Sequence, residues 1–130
     1  MGYRSDVTCI MYAVDPDTRM TSKGGMQVIN QWVKQRLPED GLKLCFDFED
    51  DMIIFTARDW KWYEDYADIQ MLERLFKEFR ATFCTECDNE YHIEFMRFGE
   101  NETDVTYWGS DDNHRRLSLS RQIRIEGFDD

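Results

Sequence analysis

Polar and apolar residues along this chain change period several times, and each change marks an element. Val7 to Val14 is rich in β-forming residues and alternates loosely, which predicts a strand. Asp15-Pro16-Asp17-Thr18 follows, with proline at the second position of a turn. Gly24-Gly25 loosens the chain before Val28, Ile29, Trp32, Val33 and Leu37 recur at helical spacing, and Pro38 and Gly41 end that helix. Leu42, Leu44, Phe46 and Phe48 then alternate with Lys43, Cys45, Asp47 and Glu49, as in a strand with one buried face. Glu49-Asp50-Asp51 predicts a tight polar turn, and Met52 to Ala57 a returning strand.

The stretch from Asp59 to Phe83 organises the rest. Its first half is aromatic, with Trp60, Trp62, Tyr63 and Tyr66 set among Asp59, Glu64, Asp65 and Asp68. Its second half places Ile69, Leu72, Phe76, Phe79 and Phe83 at helical spacing, broadened by Met71 and Leu75, while Glu73, Arg74, Lys77, Glu78 and Arg80 fall outside the stripe. A helix with such a stripe must lie on an apolar surface, and the neighbouring strands supply one.

Tyr91 to Phe98 predicts a further strand, Gly99 to Glu102 a turn, and Val105 with Tyr107 the return. An acidic loop from Gly109 to His114 precedes a final strand from Leu117 to Ile125, whose apolar face only Arg121 interrupts. The order β-α-β-β-α-β, then two strands, predicts one α+β domain over residues 1–130. The expected form is a split β-α-β (ferredoxin-like) antiparallel sheet with two helices on one face. Two extra C-terminal strands extend the sheet or form an appended hairpin.

Composition narrows the function. The chain is 42% hydrophobic and 15% aromatic, which argues for a folded rather than a disordered chain, and no apolar run is long enough to span a bilayer. Met1 to Asp6 shows no apolar signal-peptide core, so a cytoplasmic chain with reduced Cys9, Cys45, Cys84 and Cys87 is expected. Cys9 and Cys45 read as small core residues. The net charge of −11 opposes direct binding to nucleic acid or anionic lipid and favours a basic partner. Charge is also polarised: Cys84 to His114 holds nine acids and one base, Arg97, whereas Arg115 to Ile125 holds four arginines and no acid.

Few residues carry an enzymatic signature. Cys84-x-x-Cys87 with His92 has acceptable spacing for three zinc ligands, yet His114, Cys9, Cys45 or a carboxylate would have to supply the fourth, none at a diagnostic distance in sequence. A redox dithiol is opposed by its place after a helix C-terminus. Asp15-x-Asp17 after an apolar strand has the form of a phosphoryl-transfer D-x-D pair, but the plainer reading is an Asp-Pro turn. The calcium-loop reading fails because Met20 and Met26 occupy the glycine and glutamate positions. No H-E-x-x-H, G-x-S-x-G or phosphate-loop motif is present. The aromatic cluster reads first as core and second as a docking surface.

Four segments, Met1-Gly-Tyr-Arg-Ser-Asp-Val7, Lys61-Trp-Tyr-Glu-Asp-Tyr66, Arg97-Phe-Gly-Glu-Asn-Glu-Thr-Asp104 and Ser120-Arg-Gln-Ile123, resemble a group of small acidic proteins encoded by bacteriophages and prophages. The resemblance implies a phage product in the host bacterial cytoplasm and carries no catalytic residue or cofactor. The expectation is a non-enzymatic inhibitor of a host defence or nucleic-acid-handling complex, of anti-CRISPR or anti-restriction type. Its contact region would be Glu100, Glu102, Asp104, Asp111 and Asp112 with Trp108, a carboxylate array approaching the charge density of a duplex. A basic protein or nucleoprotein is the expected partner, with a second copy of the chain as another candidate. A zinc-stabilised module at Cys84, Cys87 and His92, or a phosphoryl-transfer or hydrolytic enzyme at Asp15 and Asp17, is the alternative.

Overall fold

The computed structural model describes residues 4–37, 45–63, 66–84, 90–99, 104–110, 116–119 and 123–125. Among these residues, seven strands and two helices follow in the order β1 (Ser5–Ala13), α1 (Lys23–Arg36), β2 (Phe46–Phe48), β3 (Ile53–Trp60), α2 (Ala67–Phe83), β4 (Tyr91–Gly99), β5 (Val105–Gly109), β6 (Leu117–Leu119) and β7 (Ile123–Ile125). The protein is α+β: five strands form an antiparallel sheet in the order β2-β3-β1-β4-β5, and β6 with β7 makes a separate two-stranded sheet.

Side chains alternate between the faces of a sheet, so strand register assigns each residue a side. One row runs Phe46, Phe55, Cys9, Phe95, Trp108 across all five strands. The adjacent row, Asp47, Ile54, Ile10, Glu94, Gly109, belongs to the other face. Both helices cover the aromatic side. Phe76 of α2 places its ring 5.6 Å from Phe55 and 6.1 Å from Phe95. The Ala13 N–H reaches Met26 Sδ of α1 at 3.3 Å. Trp32 joins the helices edge-on, with ring centroids 5.8 Å from Phe79 and 5.4 Å from Phe83. The opposite face is covered by the β6–β7 pair, where Leu117 is buried.

Several predicted boundaries move. Helix α1 begins at Lys23, so the glycine pair lies in its first turn and does not precede it. Ser22 caps the helix by accepting the Gly25 N–H at 3.1 Å. Glycine serves close approach here: a Cβ on Gly25 would stand 2.7 Å from Ala13 Cβ and 2.8 Å from Glu90 Oε1. Strand β3 continues past Ala57 to Trp60 because a register shift against Ser5 and Val7 absorbs an extra residue. Asp59 there takes φ 58°, and its N–H donates to Asp6 Oδ1 at 2.8 Å. Of the strand predicted from Leu42, residues 46–48 form β2, and 42–44 lie outside the described residues.

The largest correction concerns the C-terminal end. Instead of one strand from Leu117 to Ile125, two short strands pair Leu117 with Ile125 and Leu119 with Ile123. The sheet therefore gains one strand, β5, and the remaining segment folds back on itself as a hairpin.

Candidate functional site

Helix α2 packs over β3 and β4 and leaves the helix-side surface of β5 as one wall of an open groove of about 560 Å³. Its floor is aromatic: Trp62, Phe76, Phe95 and Trp108. Trp62 follows the β3 bulge and turns inward, and its indole N–H donates to Glu73 Oε1 of α2 at 3.2 Å. Trp108 stacks on Phe95 with centroids 5.5 Å apart and planes 13° from parallel, and the Arg80 guanidinium lies 5.5 Å from the Trp108 ring. Tyr63 lines the outer end, edge-on to the exposed Tyr66 at 5.3 Å.

Arg97 and Asp104 form the charged rim. The guanidinium holds both carboxylate oxygens, Nη1 to Oδ2 at 3.1 Å and Nη2 to Oδ1 at 2.5 Å, and Nη1 also donates to Ser5 Oγ at 3.0 Å. Glu73 and Asp104 are thus engaged within the fold. Lys77 adds a cation from α2 to the lining.

Across the sheet a second polar cluster forms around Glu94, which is 1% exposed. Its Oε1 accepts the backbone N–H groups of Arg116 at 2.7 Å and Leu117 at 3.1 Å, and the Tyr107 hydroxyl at 3.1 Å. Tyr12 donates more loosely to Oε2 at 3.4 Å. Burial, reinforced by the Glu94 carboxylate, pushes the Tyr12 phenol well above its ordinary range, against the opposing Arg116 guanidinium 4.0 Å from its ring. Burial first and Glu94 second also raise the Cys9 thiol well above a free cysteine. The Cys45 thiol is raised by burial alone.

The structure brings two of the six predicted contact residues, Asp104 and Trp108, to the same groove. Glu100, Glu102, Asp111 and Asp112 lie outside the described residues. Asp104 is held by Arg97 and offers no free carboxylate. Two other acids of the same stretch are also used internally: Glu94 as above, and Glu90, whose Oε1 accepts the Ser22 hydroxyl at 2.7 Å beside the start of α1.

Cys84 ends α2, while His92 projects on the face away from the helices and stacks on Tyr12 at 5.1 Å, so the sheet separates these two residues. Cys87 lies outside the described residues. Among the described residues, no group of three or more His, Cys, Asp or Glu side chains is placed to hold a metal. Asp15 Oδ1 accepts the N–H groups of Asp17 at 2.8 Å and Thr18 at 3.2 Å, which makes it the fixing point of an exposed turn. The aromatic cluster divides: Trp62 is core, Trp60 is half-buried against Phe55, and the tyrosines face the groove or solvent.

The spacing of charges did not reveal Arg97, Lys77, Glu73 or Glu94 as partners in these arrangements. A usable signal existed for Glu94. Tyr91 to Phe98 carries apolar residues on both phases (Ile93 and Phe95 on one, Met96 and Phe98 on the other), which points to cover on both faces, and a carboxylate in its middle then needs donors. Among the described residues, no helix is long and apolar enough to cross a membrane. No family model, curated protein or solved structure matches the chain.

Proposed function

We propose that this protein is a non-enzymatic interaction protein that engages a basic, nucleic-acid-handling complex of a bacterial host through the β5 side of the sheet. The observation that carries this reading is the open aromatic groove beside the outermost strand, where Asp104 and Trp108 meet. In sequence, that strand has Glu100 and Glu102 before it and Asp111 and Asp112 after it. A chain of net charge −11 steers toward cationic surfaces, and an aromatic floor supplies contact area that charge alone does not. The resemblance to small acidic phage and prophage proteins supports the context: a phage product in the host cytoplasm, inhibiting a defence complex of anti-CRISPR or anti-restriction type without a cofactor. We also read the first six elements as a split β-α-β (ferredoxin-like) unit; the order β2-β3-β1-β4, antiparallel throughout, supports it.

The test is affinity capture from bacterial lysate, repeated across a salt series. The variant Glu100→Gln/Glu102→Gln/Asp111→Asn/Asp112→Asn is carried in parallel. Asp104 stays intact because it organises Arg97. The expected outcome is a bound nuclease or nucleoprotein whose capture weakens steeply with salt and falls about tenfold or more in the neutralised variant. Capture that ignores both salt and neutralisation sinks the proposal.

A further inference from the structure

Strand β5 ends the sheet: among the described residues, none forms a ladder along its outer side. Two backbone bonds establish which groups point outward. The Gly99 N–H donates to Asp104 O at 2.8 Å and the Ser110 N–H to Ile93 O at 2.9 Å. In an antiparallel pair, hydrogen-bonded positions alternate, so Asp104, Thr106, Trp108 and Ser110 turn their backbone toward β4. Val105, Tyr107 and Gly109 turn theirs away from it. Thr106 and Trp108 meanwhile place their side chains on the groove side, because Trp108 shares a row with Phe95 and Cys9. Outward backbone and inward-facing groove therefore lie side by side along one strand.

We infer that the partner of this surface is an extended basic peptide segment that adds to β5 as a sixth strand. This rests on the proposed function and names how the partner is held. Backbone bonds to Val105 and Gly109 would fix the segment. Alternate residues, those opposite Thr106 and Trp108, would drop apolar or aromatic side chains into the groove over Trp62 and Phe76. The other residues, lysine or arginine, would face solvent and the negative field of the chain. The same field argues against a second copy: edge-to-edge pairing of two chains would join −11 to −11.

The experiment selects linear peptides from a random dodecapeptide display library on the purified full chain. It then measures amide exchange and affinity with the best synthetic peptide. The expected result is peptides that alternate apolar with basic residues, that slow exchange at the Val105 and Gly109 amides, and that bind Val105→Pro about tenfold more weakly. Proline there removes an N–H that points away from β4 and leaves the ladder intact. Val105→Thr keeps the N–H and should bind as the original does. Thr106→Arg, which crowds the groove, should also weaken binding.

No enriched peptide, or peptides without a period of two, overturns the inference. So does a lysate partner held equally well by Val105→Pro and Thr106→Arg, and in that case the proposed function survives. Dimers that Val105→Pro dissociates would give the edge to a second copy and overturn it too. Failure to capture any salt-sensitive partner removes the proposed function itself.

Discussion

On one side of the sheet, Phe46, Phe55, Phe95 and Trp108 meet Phe76 and Trp62 in a chain of ring contacts between 5.0 and 6.2 Å, and two helices close over them. On the other, the middle of the sheet holds a carboxylate, two phenols and an imidazole, and a hairpin of two short strands closes over those. Apolar contact is non-directional and shared among many atoms, so no single ring is indispensable to the geometry. Hydrogen bonding is directional and concentrated: the backbone at Arg116 and Leu117 depends on one oxygen of Glu94. The face covered by helices spreads its stability over many contacts, whereas the face covered by the hairpin relies on one acceptor.

The largest expected effect tests the apolar side. Phe76→Ala removes a fully buried ring in contact with both Phe55 and Phe95, and should lower unfolding free energy by about 3–5 kcal/mol in urea melts. A loss below about 1 kcal/mol would mean that the helix face can collapse into the cavity. Next comes the latch. Glu94→Ala should cost about 2–4 kcal/mol and raise amide exchange at Leu117 more than at Phe76. Glu94→Gln, which keeps an accepting oxygen, should recover part of it. Equal exchange at both sites would dissolve the distinction between the faces.

Gly109→Ala sharpens the comparison at its narrowest point. A Cβ there would lie 2.7 Å from the Tyr107 hydroxyl and 3.4 Å from Glu94 Cγ, so Tyr107 must leave its bond to Glu94. The expected cost is about 1–2 kcal/mol by thermal unfolding, removed when Tyr107 is already Phe. Smallest is the response to alkali. Tyr12 and Cys9 hold their protons more tightly folded than unfolded, so the folded state binds more protons once pH passes their ordinary values. Their contribution is fully present below about pH 8 and declines as pH rises. Melting temperature should drop between about pH 9 and 11, and Tyr12→Phe should shrink the part of that drop above about pH 10.

The sequence displayed the apolar face more openly than the polar one. Ile69, Leu72, Phe76 and Phe79 announce their helix because a stripe of period 3.6 has no other use. The hairpin of β6 and β7 stayed hidden for a geometric reason. Leu119 and Ile123 are four positions apart, so the alternation keeps its phase across the connecting residues 120–122 and imitates one long strand. Arg121, which interrupts the apolar phase of that alternation, lies outside the described residues. The glycine pair misled because the use of Gly25 is tertiary: the proximity of Ala13 and Glu90 explains a glycine there, while nothing in the structure explains Gly24. Asp104 was legible as part of an acidic contact region, but its capture by Arg97 depends on the register of β4 against β5, which composition does not encode.

Cys9 occupies the middle of the aromatic row, flanked in register by Phe55 and Phe95 and sealed from solvent. Its thiol is a small side chain between those two rings in register, and Phe76 contacts both rings. Its sulfur can meet an alkylating reagent only when helix and sheet part company. The residue is therefore a built-in clock for whole-molecule opening, readable by mass without any engineered label.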